Sequence, residues 1–254
     1  MRLKYLVLYQ KWDFFNEINI EINTSCTRRC SYCPNSVYER GLLKNQKLMK
    51  EDTFKKIVDE LSEINFRGVL TPVHYGEPLL DKRVFHFMAY AKKKLPKATL
   101  LIFSNGDCLT PQTYEKLISS GVTRFALTQH EGPTSKNLEG LKNYIRMHPR
   151  KKVRASFSEF NNQTPLFNRG GLVHPKKILY EPACSWPNNA LVIDVEGNVI
   201  LCCNDYLSSI KLGNVKDEKV LEIWESKKYR NLRKGFLRGK YPLKICKKCV
   251  GIKK

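Results

Sequence analysis

The sequence predicts an α/β fold: an open, partial TIM-like barrel followed by a small cysteine-bearing C-terminal domain. Three observations lead there. Short apolar runs alternate with amphipathic segments from residue 17 to residue 158, the pattern of repeated β-α units around a parallel sheet. The five or six units that can be read are too few to close an eight-stranded barrel. Around residues 165–180 the alternation gives way to the turn-rich stretch PLFNRGGLVHPKK, and cysteines follow. The division falls at 1–170 for the partial barrel and 171–254 for the appendage.

The elements follow in order. EINIEIN (17–23) alternates apolar and polar residues and reads as a strand. A long cysteine loop comes next. KEDTFKKIVDELSEI (50–64) has helical spacing with acids early. GVLTPVHY (68–75) is the second strand, and KRVFHFMAYAKKKL (82–95) is a helix ending before Pro96. ATLLIFSN (98–105) is the third strand. TPQTYEKLISSG (110–121) is a helix with Thr110 as N-cap, Pro111 at its first position and Gly121 as stop. TRFALTQ (123–129) and KVRASFS (152–158) are strands on either side of the helix SKNLEGLKNYIRM (135–147). In the appendage, ALVIDVEGNVILCC reads as a hairpin turning at Glu196-Gly197-Asn198. SIKLGN reads as an edge strand and EKVLEIWESKKYRNLRKGF as one helix.

Composition narrows the class. Apolar content of 42% with 11% aromatics in 254 residues suits a globular chain with a real core. No apolar run reaches the length of about 18 residues that a membrane span needs. The opening MRLKYLVLYQKWDFF lacks a long apolar core and a small-residue cleavage site, so a secretory signal is not expected and the expected compartment is the cytoplasm. The net charge is +21, and twelve of the last 28 residues are Lys or Arg with no acid after Glu225. That balance suits a nucleic-acid or anionic partner, but the lysines are spread over the whole chain. A solvated basic surface is therefore the favoured reading, and a nucleic-acid partner is not expected.

The chemistry lies in the cysteines. Nine in a cytosolic chain, clustered at close spacing, read as metal ligands and not as disulfides. Cys26, Cys30 and Cys33 have the spacing Cys-x3-Cys-x2-Cys after the first strand. Thiolates suit zinc or an iron–sulfur cluster, and three on a four-iron cubane leave one iron open. A zinc knuckle is the alternative. Cys184, Gly197, Cys202 and the pair Cys246-x2-Cys249 form a second set able to hold a whole [4Fe–4S] cluster or one zinc. Cys202 and its neighbour Cys203 fall on opposite faces of a predicted strand; the distance to Gly197 favours Cys202. Cys108 is left over and is expected to pack in the interior.

The first cysteine set, with the aromatic Tyr32 before its last member, resembles the radical SAM superfamily. In that superfamily the open iron binds S-adenosylmethionine, and electron transfer splits the sulfonium to a 5′-deoxyadenosyl radical. Candidate polar groups stand at successive strand ends, the rim on which such barrels build their sites. Tyr75-Gly76-Glu77 resembles the family's Gly-Gly-Glu segment with Tyr75 in place of the first glycine. Ser104-Asn105-Gly106 looks like its contact to the cofactor's ribose and carboxylate. Gln129 and His130 follow the fourth strand. Singly, Gly76 and Gly106 also read as turn glycines and His130 as a packed loop residue.

The second set, with LGNVKDEKVLEIWESKKYRNLR, resembles the SPASM/Twitch extension, in the shorter Twitch form with one auxiliary cluster. The phrases CSYCPNSV, HYGEPLL, SNGDCLT, LTQH and NRGG in order resemble the family of 2-deoxy-scyllo-inosamine dehydrogenases, Twitch-type enzymes acting on an aminocyclitol alcohol. The resemblance implies two [4Fe–4S] clusters, S-adenosylmethionine, a small aminocyclitol or sugar substrate, and an electron donor such as flavodoxin or ferredoxin. The adenosyl radical would take hydrogen from the hydroxyl-bearing carbon, and the ketyl radical would pass an electron to the auxiliary cluster. Arg169 of the NRGG phrase is the leading substrate-binding candidate, because a guanidinium donates several fixed hydrogen bonds to oxygen; a linker salt bridge is its alternative. Asn204 stands where the family carries a carboxylate, with Asp205 beside it as a possible replacement. A second implied activity is peptide maturation, by crosslinking or epimerisation. The short segment ahead of the first strand, about 16 residues, disfavours the version with a leader-binding module. A zinc-bearing nucleic-acid-binding protein is the third reading.

Overall fold

The computed structural model describes residues 13–161, 163–180 and 184–252. Most of the opening segment that carries no secretory signature lies outside them. Eight strands form one open sheet in the order β5-β4-β3-β2-β1-β6-β7-β8. The first five are β1 (Glu17–Ile20), β2 (Val69–Thr71), β3 (Thr99–Ser104), β4 (Arg124–Gln129) and β5 (Arg154–Glu159). Neighbours among them pair in parallel. Helices α1 (Glu51–Glu63), α2 (Val84–Lys94), α3 (Pro111–Ser119) and α4 (Lys136–Met147) lie between consecutive strands from β1 onward. The barrel is not closed, as the number of units implied.

Past the short α5 (Trp186–Asn189), β6 (Ala190–Ile193) pairs in parallel with β1, placing Leu191 opposite Ile18. The sheet thus runs on into the C-terminal segment. β7 (Asn198–Ile200) and β8 (Lys211–Asn214) add antiparallel. Gly197 turns the hairpin with φ of 87°, a left-handed conformation that glycine adopts without penalty. Three helices follow: α6 (Val220–Glu225), α7 (Lys227–Phe236) and α8 (Lys244–Cys249). The single helix expected over EKVLEIWESKKYRNLRKGF is in fact α6 and α7. Ser226 between them is extended, and its side chain accepts a hydrogen bond from Tyr229 N as the N-cap of α7. β2 is also shorter than its apolar run. Pro72 follows Thr71, and a proline cannot donate to the ladder.

One core lies between the sheet and its helices. Ile18, Ile20, Leu70, Leu100, Ile102 and Leu127 meet Phe54, Ile57, Leu61, Phe87 and Leu117 there. The Phe54 and Phe87 rings stack at 4.3 Å. The same core takes in Ile223 and Trp224 of α6, and Trp224 sets its edge against Phe15 at 5.2 Å. Since Ile18 and Ile20 face these helices, strand alternation turns Glu17, Asn19 and Glu21 to the inner face of the open barrel. No helix among the described residues is long and apolar enough to cross a membrane.

Glu21 joins three parts of that inner face. It is fully buried, ion-paired with Arg40 of the cysteine loop, and accepts from Val195 N of the hairpin at 3.1 Å. His74 Nδ1 stands 3.7 Å away. Burial alone would raise the carboxyl, but His74 and Arg40 outweigh it and hold it at about 2, below its ordinary 4.5. The ionised form therefore stabilises the fold in full above pH 4.5, and that contribution disappears as the pH falls toward 2. A depression of this size corresponds to stability on the order of 3 kcal/mol. Glu21→Gln should lower stability at neutral pH by about 3 kcal/mol, since it strands the Arg40 charge. The gap between variant and parent should close as acid is added, which urea unfolding at a series of pH values measures.

Candidate active site

The cysteine loop leaves β1 and is fixed by long-range polar contacts. Arg28 places its fork on Asp107, 79 residues away, at 2.6 and 2.9 Å. It also donates to the carbonyls of His130, Glu131 and Pro133. Glu131 in turn accepts from the Ser31 backbone N–H and from Ser31 Oγ. Asn105 Nδ2 reaches Thr27 Oγ1 at 2.9 Å and the Cys26 sulfur at 3.6 Å. The loop is thereby tied to the turns after β3 and β4.

Cys26, Cys30 and Cys33 all line one cavity of about 330 Å³ at the strand ends, together with Tyr32, Gly76, Glu77, Ser104, Asn105 and His130. Burial and mutual repulsion among the thiols push Cys26 and Cys30 up to about 11, and burial raises Cys33 as well. Three cysteines on one cavity, Cys30 buried and Cys26 and Cys33 half-buried, supply sulfur donors whose thiolates a cationic centre would stabilise. Sulfur-only ligation with an open side fits an iron–sulfur cluster.

The rim beside them is built from strand-end turns. At Gly76 a Cβ atom would lie 2.1 Å from the Asn23 carbonyl oxygen, so only glycine fits. Glu77 N donates to Ser25 O at 2.7 Å, and Asn23 Nδ2 to Glu77 O at 2.8 Å. The buried Glu77 carboxylate accepts from Ser104 Oγ and Asn105 N, each at 3.0 Å, and from Leu79 N at 3.3 Å. Burial still raises it to about 7 against those donors. Tyr32 OH meets His130 Nδ1 at 2.8 Å; burial lowers His130 to about 4, keeping it neutral. Of the rim candidates, Gly106 and Gln129 do not line the cavity. Gln129 Nε2 donates to His130 O at 2.8 Å and its Oε1 accepts from Ser135 N, so it braces the turn after β4.

The second cysteine set surrounds a separate small cavity. Cys184, Cys202, Cys246 and Cys249 line it with Trp186, Leu201, Phe236 and Tyr241. Cys246 and Cys249 sit three apart on α8, a spacing that keeps them on one helix face. Burial, then repulsion from Cys184 and Cys249, pushes Cys246 up to about 12. Four half-buried cysteines and an apolar lining suit a complete iron–sulfur cluster. β7 ends at Ile200, so Cys202 and Cys203 lie in the turn beyond it and not in the strand the sequence suggested. They nevertheless face opposite cavities: Cys202 lines the second, Cys203 the first.

Arg169 connects the two. It lines the first cavity, its Nη1 donates to Asn204 Oδ1 at 3.0 Å, and Asn204 Nδ2 donates to the Cys249 sulfur at 3.4 Å. Its φ of 52° is left-handed, uncommon for a non-glycine residue and typical of over-determined functional positions. Gly170 follows in the same region, where a Cβ would strike Ile245 of α8 at 2.4 Å. Asn168 Nδ2 donates to Lys248 O at 2.9 Å. The NRGG phrase is therefore a clasp on the Cys-x2-Cys helix. Arg169 Nε and Tyr75 OH are buried and lack a partner, and the Arg169 guanidinium lies 5.9 Å from the Tyr75 ring centre. Unsatisfied buried donors beside a cavity suit a ligand rich in oxygen.

Sequence reasoning did not single out Glu17, Asn19, His74 or Trp186, which also line the first cavity. The signal was present in β1: its polar residues alternate with isoleucines that belong to the core, so its second face had to be a polar interior.

Comparison with known proteins supplies relatives. Residues 20–163 match the model of the radical SAM superfamily, and residues 184–250 match that of SPASM, an iron–sulfur cluster-binding domain. The chain is 32% identical over 241 residues, 94% of each sequence, to the S-adenosyl-L-methionine-dependent 2-deoxy-scyllo-inosamine dehydrogenase of Niallia circulans. The structure of BtrN in complex with AdoMet and 2-DOIA superposes with a TM-score of 0.80 at 31% identity, covering 89% of this chain and 88% of the other. BtrN in an open conformation gives 0.70 at 27% identity, covering 95% and 93%. anSMEcpe with bound AdoMet shares the fold alone, at a TM-score of 0.57 and 16% identity over 87% and 79%.

Proposed function

Because this chain belongs to the radical SAM superfamily and carries its SPASM-type iron–sulfur domain, we propose that it oxidises a secondary alcohol of an aminocyclitol or sugar to a ketone. When bound, S-adenosylmethionine on a [4Fe–4S] cluster supplies a 5′-deoxyadenosyl radical, and the auxiliary iron–sulfur cluster supplies an electron acceptor. Cys26, Cys30 and Cys33 would hold the first cluster. Cys184, Cys202, Cys246 and Cys249 would hold the second, which we take to be [4Fe–4S]. The turns at Gly76-Glu77 and Ser104-Asn105 would seat the methionine and ribose portions of S-adenosylmethionine, with Tyr32 and His130 closing that end. Arg169 would hold the substrate oxygen through its unpartnered Nε, with Tyr75 OH as a second donor.

The observation that carries oxidation, as opposed to rearrangement, is the turn after β7. Neighbouring residues Cys202 and Cys203 line the two cavities, so a substrate in the first lies within one residue's reach of a ligand of the second. The Arg169–Asn204–Cys249 chain adds a second link. The relative at 32% identity is named for such a dehydrogenation of 2-deoxy-scyllo-inosamine. A cytoplasmic location and a small acidic electron carrier of the flavodoxin or ferredoxin kind complete the reading.

The test is anaerobic turnover of the reconstituted protein with aminocyclitols, sugars and peptides under reducing conditions, following 5′-deoxyadenosine and product mass. A cyclitol product lighter by two hydrogens is expected. A product of unchanged mass in light water that gains one deuterium in heavy water would replace oxidation by epimerisation, and turnover of peptides alone would remove the small-molecule reading.

A further inference from the structure

Two carboxylates line the first cavity, Glu17 and Glu77. Glu77 is engaged by Ser104, Asn105 and Leu79. Glu17, at the start of β1, makes no ion pair among the described residues, and it lines the cavity beside Asn19, its neighbour on the same strand face. The cavity's guanidiniums are both committed elsewhere: Arg28 to Asp107, and Arg169 to Asn204 above Tyr75. Nor do nearby acids offer a free carboxylate. Asp205 is fully buried and accepts from Ser209 N, Ser209 Oγ and Ile210 N. Asp194 is held by Asn198, and Glu21 by Arg40. Asn204 is an amide, without charge.

Glu17 belongs to the substrate end of the cavity. β7 runs antiparallel to β6 with Ile200 opposite Val192, so the turn beyond it carries Cys203 back toward Ala190, the residue opposite Glu17, and Glu17, Arg169 and Cys203 line the same cavity. That end therefore presents one carboxylate and one guanidinium with an unpartnered donor, a bipolar floor. A ligand with an ammonium on one carbon and a hydroxyl on another matches both. We infer that Glu17 is the cation subsite of this cavity, receiving the protonated amine of an amino alcohol while Arg169 holds the oxygen that becomes the ketone. The inference rests on the dehydrogenase reading above and, of its two substrate classes, selects the amine-bearing cyclitol over the sugar. Desolvation raises the Glu17 carboxyl, the condition that an incoming ammonium relieves with a charge-assisted hydrogen bond.

The experiment compares 2-deoxy-scyllo-inosamine with the analogue in which hydroxyl replaces the amine, on the reconstituted parent and on Glu17→Gln, which keeps the side-chain shape. Binding is measured by calorimetry with S-adenosylmethionine present and no reductant, and kcat/KM separately. The parent should prefer the amine, and Glu17→Gln should lose that preference by roughly 10- to 100-fold in both measures, the scale of a hydrogen bond to a charged group. Affinity for the hydroxyl analogue should hold, as should the cluster absorbance and S-adenosylmethionine affinity that report an intact fold. Glu17→Lys should turn the preference toward a cyclitol phosphate. Equal loss for amine and hydroxyl analogue, or an undiminished preference for the amine, would overturn the subsite while leaving the dehydrogenase reading in place. A parent that oxidises the hydroxyl analogue and ignores the amine also overturns it. A parent that oxidises neither overturns the dehydrogenase reading itself.

Discussion

Cys30→Ala, reconstituted without oxygen, is expected to hold about four irons where the parent holds about eight, and to form no 5′-deoxyadenosine. Cys30 is the middle thiol of its set, nearly enclosed and packed with Tyr32 and Leu166. Its backbone carbonyl accepts from Cys33 N at 2.9 Å, so the turn itself does not depend on the sulfur. The loop is fixed independently by Arg28 on Asp107 and by Glu131 on Ser31. Loss of the thiol should therefore leave the protein folded while removing a ligand. Changing an outer partner of a metal site already costs about 10–100-fold in affinity or activity. Removing a direct ligand, one of three, should exceed that range and bring S-adenosylmethionine cleavage below detection. Iron analysis, the electron paramagnetic signal of the reduced protein and chromatography of the nucleoside product check each part. A variant that still released 5′-deoxyadenosine at near-parental rate would mean the radical originates elsewhere in the chain.

The frame of this site was legible because its parts are local. Cys-x3-Cys-x2-Cys, Tyr75-Gly76-Glu77 and Ser104-Asn105 each occupy a few consecutive residues, and β-α alternation places such turns on a common rim. Thr110 was readable as a cap for the same reason, and its side chain does accept from Thr113 N at 3.2 Å. Contacts between distant segments were not legible. Nothing in the sequence joins Arg28 to Asp107, or Arg169 to Asn204 and through it to Cys249. The helix break at Ser226 was concealed because a serine is tolerated within a helical pattern and caps a helix equally well. Asp205 was a reasonable stand-in for a missing substrate carboxylate until its three bonds to Ser209 and Ile210 showed it closing its own turn. Glu17 was overlooked because alternation in β1 was read for its apolar face, and the polar face of an open barrel strand is where a ligand meets the sheet.

The turn after β7 permits a second large effect to be assigned to one residue and withheld from its neighbour. Cys202→Ala is expected to fold, to keep the first cluster and to cleave S-adenosylmethionine, while forming the ketone at least about 100-fold more slowly than the parent. Its sulfur lines the cavity shared with Cys184, Cys246 and Cys249, and burial followed by repulsion from other cysteines raises it well above an ordinary thiol. Cys203→Ala should keep both clusters, since that sulfur lines the other cavity and is raised to about 11 by burial with Arg169 opposing. Its backbone carbonyl, which meets His74 Nε2 at 3.1 Å, is unaffected by the change. The two variants differ by one position in the chain and remove the same atoms, so a general loss of stability does not mimic the contrast. Iron content near four for Cys202→Ala and near eight for Cys203→Ala, with 5′-deoxyadenosine released in excess of ketone only by the former, is the expected pattern. The reverse iron counts would make Cys203 the ligand and place the second cluster inside the substrate cavity. Ketone formed at the parental rate by a Cys202→Ala protein lacking the second cluster would show that the substrate's second electron leaves by another route.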